Sequence, residues 1–154
     1  MGARTTLGSA VTKVLQAQGL NLLSDAHAFG DSAILNRGFV LDQLRRFGPY
    51  DHFINVLAPL KDEVVCSADV LPVLVEQPLR VLSAAVDLWG ESDRRLLMIN
   101  GCTVPHDWAP SERLMFDSLI AQAPRILREA LPSLKVSVVT ADQALNSPDL
   151  SKHL

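Results

Sequence analysis

At 154 residues the chain has the length of one domain with a core of its own, and 48% hydrophobic against 20% charged residues excludes disorder as its default state. A formal net charge of -3, with no run of Lys or Arg, offers no electrostatic footprint for nucleic acid or an anionic membrane surface, so neither is an expected partner. No apolar run reaches the roughly 18 residues needed to span a bilayer, no signal peptide opens the chain, and Cys66 and Cys102 are too isolated for a disulfide framework, which predicts a cytoplasmic protein.

Taken in order, Met1 to Gly8 is a glycine-bearing turn leading into an amphipathic helix with Val11, Val14 and Leu15 at helical spacing and Thr5, Thr6 or Ser9 as N-cap. Such a turn can hold a phosphate where free N–H groups and the helix dipole converge, or it can be a plain N-cap. Gly19 closes the helix, Leu20 to Leu23 is a short strand, and Asp25 is a turn residue. Phe39, Val40, Leu41 and Leu44 mark a second helix ending at Gly48-Pro49. Tyr50 to Leu57 reads as a strand, apolar enough from Phe53 onward to be central in a parallel sheet.

After the charged connection Lys61 to Ala68, the chain becomes helical from Val70, with a break at Pro78 and a main helix from Leu79 to Trp89. Its apolar face is wide enough to serve an interface as well as a core. Arg95 to Asn100 is a buried strand, and the loop to Pro110 carries Cys102, Thr103 and His106 at the carboxyl end of that strand, where open α/β sheets place ligands. A long helix follows from about Glu112 to Ala130, with Pro124 predicting a kink or early break. Lys135 to Thr140 is the final strand, and residues 141–154 are a polar, loose C-terminal tail beyond a single domain spanning 1–140. Alternating helices and buried strands predict an α/β fold with a parallel sheet.

Several segments together resemble the short-chain dehydrogenase/reductase (SDR) family, from Gly2 to Thr140. Gly2-Ala-Arg-Thr-Thr-Leu-Gly8 is similar to its glycine-rich turn, with Gly2, Thr6 and Gly8 on the three glycine positions. Phe53-Ile-Asn-Val-Leu-Ala58 is similar to the strand ending in Asn-Asn-Ala-Gly, of which Asn55 remains. Leu97 to Thr103 resembles the strand that ends at the catalytic serine, with Thr103 on that position. By the family's interval Phe116 falls on the catalytic tyrosine and Ile120 on the lysine.

The resemblance implies a Rossmann-like doubly wound parallel sheet, here incomplete, with the first strand and the substrate-lid region missing. It also implies NADP or NAD as the cofactor if any binds. Phenylalanine has no proton to exchange and isoleucine no charge, so general acid/base catalysis is removed at those positions. The expectation is a catalytically degenerate pseudoenzyme with no cofactor, an interaction or structural subunit of an oxidoreductase-type complex. The family's packing implies a homo-oligomer, or a hetero-oligomer with an active relative, through helices 79–89 and 112–130. The alternative is an NAD(P)-dependent oxidoreductase using Thr103 with His106 or Tyr50 as proton donor.

Two rival constellations are weaker. Phe29-Gly-Asp-Ser32 resembles the serine block of the GDSL hydrolases, with Asp149 and His153 as distant partners, and Cys102/His106 could form a thiol-imidazole pair. His27, His52, His106 and His153 never pair at ligand spacing, so no metal site is expected.

Overall fold

The computed structural model describes residues 5–20, 36–57, 72–101 and 108–154. In chain order these form α1 (Thr6–Ala17), α2 (Arg37–Phe47), β1 (His52–Leu57), a π-helical turn (Pro72–Glu76), α3 (Gln77–Trp89), β2 (Arg95–Asn100), α4 (Pro110–Ala130), β3 (Lys135–Thr140), α5 (Ala141–Asn146) and a 3-10 turn (Leu150–His153). The strands pair in parallel in the order β1-β2-β3, with Phe53 beside Leu96 and Leu96 beside Val136. The chain is therefore α/β with a parallel sheet, as its alternating pattern predicts. The strand order runs one way, so no reversal of order, the place where doubly wound sheets bind ligands, falls among the described residues.

Side-chain alternation along the strands sorts the core into two layers. Leu96 and Met98 of β2 face one side with Phe53, Leu57 and Val136, under α2, the π turn, α3 and α4. Leu97 and Ile99 face the other with Val56 and Val139, under α1, α5 and the 3-10 turn. Leu96 and Leu97 are both fully buried, and each such leucine contributes about 1.5–3 kcal/mol by leaving water. That two-sided burial explains why β2 reads as a continuous apolar run.

Local chemistry sets the helix ends. Thr5 Oγ1 accepts the Gly8 N–H at 2.9 Å. Gly19, at φ 83°, closes α1 with its N–H on Gln16 O (3.0 Å) while the Leu20 N–H reaches Leu15 O (3.1 Å), a paired closure that needs glycine's left-handed freedom. The expected strand from Leu20 to Leu23 lies almost wholly outside the described residues. Asn36 caps α2, and Glu112 Oε2 accepts the Ala109 N–H at the start of α4.

Three expectations need correction. The main helix after the connection begins at Gln77, two residues early, because Pro78 occupies its first turn, where a missing N–H costs nothing. Pro124 does not end α4, which is continuous from Pro110 to Ala130. The lost N–H removes one bond, and the burial of Ala123, Pro124 and Leu127 offsets it. The residues after Thr140 are not a loose tail. Thr140 and Gln143 cap α5 reciprocally, and Ala144, Leu150 and Leu154 fill the second core layer. Gln18 ties that segment to α1, donating to Ser147 O (3.4 Å) and accepting from Ser151 N (3.0 Å).

Candidate functional site

The sequence reading expects a site at the carboxyl ends of the strands, and a cleft lies there. A small cleft between the sheet, α4 and the π turn is lined by Asn55 and Leu57 of β1, Met98, Ile99 and Asn100 of β2, Val138 of β3, Ile120 of α4 and Leu74. Asn55 is 1% exposed, because its place between Phe53 and Leu57 turns it inward with them. Among the described residues the lining consists of two asparagines and six apolar residues, with no ionisable group. Leu57, Leu74 and Ile120 fill the space until it holds about one water molecule. Such a cleft can exclude water and donate or accept a neutral hydrogen bond, but nothing in its lining can transfer a proton near neutral pH.

Of the residues singled out in the sequence, Asn55 and Ile120 meet at this cleft. Phe116, one turn earlier on α4, is buried in the first core layer instead, its ring edge-on to Trp108 with centroids 5.7 Å apart at 82°. Gly2 and Thr103, with Cys102 and His106, lie outside the described residues.

Thr6 and Gly8 sit in the first turn of α1, on the opposite face of the sheet from Ile120. The N-terminus of α1 does lie at the carboxyl end of β2, since a Cβ on Gly101 would collide with Leu7. However, the Gly8 N–H that an anion would seek is already taken by Thr5, itself 4% exposed. The turn is thus built as an N-cap.

The alternative proton donor Tyr50 is at the wrong end of the sheet. It precedes β1, and its ring packs edge-on against Phe53 (6.4 Å) and Trp89 (6.1 Å), about 20 Å along the strand from the cleft. Burial also pushes its hydroxyl pKa up, making it a poorer acid. The hydrolase constellation fails where it is described. The Asp149 carboxylate is held below its usual pKa by Lys152 and Ser151, whose hydroxyl donates to it at 2.6 Å, while His153 is exposed at the end of the 3-10 turn. Ser32 lies outside the described residues. Among the described residues no group of three His, Cys, Asp or Glu side chains could hold a metal ion, and no helix is long and apolar enough to cross a membrane.

Sequence reasoning missed Leu74, Met98 and Val138 as cleft residues, because only the fold brings the π turn and three strands to one point. It also missed Arg94, 4% exposed, whose Nη1 donates to Gly90 O at 2.8 Å and whose guanidinium lies 5.9 Å from the Trp89 ring centre. The carboxyl end of the α3 dipole and the aromatic face hold that buried charge. A comparison with known proteins adds no relative: no family model, no curated protein and no solved structure matches the chain.

Proposed function

We propose that the chain is a non-catalytic SDR-like subunit: a Rossmann-type α/β layer whose catalytic end has been filled with apolar side chains and which acts through its surface as an interaction or structural component of an oxidoreductase-type complex. The observation that carries this reading is the cleft lining, where Ile120, Leu57 and Leu74 leave about one water's space and, among the described residues, no side chain titrates. An active reductase needs an open cleft with a proton donor there. Two isolated cysteines fit a reducing, cytoplasmic setting.

The partner is a second copy of the chain or an active relative. Helix α3 is a poor seam for it, because α2 packs along α3 and Arg37 pairs with Asp87 between them. Helix α4 is better, since Leu114 is 70% and Met115 48% exposed. One feature favours the NAD(P)-dependent alternative, the position of the α1 N-terminus at the carboxyl end of β2. A hydride-transfer assay separates the two. Purified protein with NADPH or NADH and a panel of aldehydes and ketones is expected to show no turnover above buffer. Turnover that disappears on Thr103→Ala or His106→Ala would replace the subunit reading with an atypical oxidoreductase.

A further inference from the structure

The outer edge of β3 is partly closed at both ends and open at its centre among the described residues. The Lys135 N–H bonds to Arg94 O at 2.8 Å, so in this parallel ladder Lys135, Ser137 and Val139 turn their backbone groups toward β2. Val136, Val138 and Thr140 turn theirs outward. The chain's own side chains cover the two ends: Arg128 Nη2 donates to Val136 O at 2.7 Å, and the Thr140 N–H donates to Gln143 Oε1 at 2.9 Å. Val138 lies between them with its edge groups uncovered among the described residues, and its side chain is 46% exposed.

We propose that a second copy of this chain pairs antiparallel with β3 about a two-fold axis through Val138, each Val138 exchanging both backbone hydrogen bonds with its mate. The proposal rests on the interaction-subunit reading and names its seam. Spacing supports it first. Helix α4 packs on the sheet at β2 and β3, its Phe116, Ala123 and Leu127 sharing one core layer with Leu96, Met98 and Val136, and its Ile120 lining the cleft with Met98 and Val138. Continuing the sheet across the axis sets the two α4 helices two strand spacings apart, about 9.6 Å, which is a helix-packing distance.

The outer flank of α4 suits such an approach. Arg128 reaches the β3 edge, and Ala121, two turns before it, lies on the same flank next to Ile120, at the level of the axis. Ala121 is small and exposed, so two copies can meet there. Antiparallel helices crossing at Ala121 set Asp117 of one copy opposite Arg125 of the other. Arg125 holds only an exposed pair with Glu129, which competes weakly. Along the strands, Lys135 and Arg128 of one copy approach Asp142 of the other, all exposed. Charges are therefore complementary on both sides of an uncharged centre.

Cysteine trapping tests the seam in a Cys66→Ser/Cys102→Ser background. Opposed residues of a hydrogen-bonded antiparallel pair lie about 5.5 Å apart at Cα, within disulfide reach. Under mild oxidation Val138→Cys is expected to give a cross-linked dimer, and Leu114→Cys, about 21 Å from its mate along the antiparallel α4 pair, no cross-link. Sedimentation of the unmodified protein is expected to show a dimer, and Val138→Lys, which opposes two lysines across the axis, a monomer with unchanged circular dichroism. A monomer at every concentration for the unmodified chain would overturn the proposal, as would cross-linking at Leu114→Cys without Val138→Cys. A cross-linked dimer that also reduces carbonyls would sink the non-catalytic reading and leave the seam standing; a monomer without turnover would do the reverse.

Discussion

A chain shortened to end at Thr140 is expected to lose its cooperative unfolding transition. The removed residues look polar, yet Ala144 and Leu150 are fully buried and Leu154 is 7% exposed, all in the core layer that covers Leu97, Ile99 and Val139. Their loss would bare the part of that face which α1 does not cover and strip Gln18 of both of its backbone partners. The milder variant Leu150→Ala keeps the chain length and is expected to cost about 2–5 kcal/mol, the range for a leucine removed from a closed core. Urea unfolding followed by circular dichroism checks both. A shortened chain with an unchanged midpoint would mean that the segment is the loose tail its composition suggests.

Gly48→Ala is expected to be the most damaging single-methyl change in the first core layer. A Cβ at that position would fall well inside contact distance of two Trp89 ring carbons and 2.7 Å from the Leu44 carbonyl oxygen. The carbonyl belongs to the end of α2 and is fixed by the helix, and the Trp89 ring is wedged against Tyr50. Neither gives way without moving the α2–α3 pair, so the cost is expected to be about 3 kcal/mol, the upper end for overpacking. Gly101→Ala is the internal control. Its Cβ meets chiefly the terminal methyl of Leu7, the far end of a flexible side chain, and a smaller loss is expected. Trp fluorescence during denaturation reads both, and equal losses would contradict this account of the packing.

How far the sequence reveals this fold depends on where burial is two-sided. Arg95 to Asn100 and Lys135 to Thr140 are legible to the residue because an apolar run between polar ends can only be a short buried strand here. The Phe39 to Leu44 stripe similarly announces α2. The C-terminal segment hides because its apolar residues are few and spread over a short helix and a 3-10 turn, too brief for periodicity to register. The π turn before α3 is equally hidden, since its apolar residues read as a helical lead-in.

At the cleft, Asn55 and Ile120 lie together in the structure, whereas the resemblance places Phe116 there too. The structure turns Phe116 one helical turn away onto Trp108. A resemblance fixes intervals along a helix, whereas the rotation of that helix against the sheet is decided by packing. That Leu74 closes the cleft could not be read from motifs at all, because the π turn it comes from carries none.

The most direct test of the central claim, that this is an α/β scaffold with a filled catalytic end, is a titration with NADPH and NADH read by nicotinamide fluorescence and thermal shift. No fluorescence change and no shift of the melting temperature are predicted for either nucleotide. A functional site at a hundredfold excess over its Kd would add about 2.7 kcal/mol of stability and raise the melting temperature by several degrees. Micromolar binding of either nucleotide would contradict the account and return the α1 turn to a cofactor role.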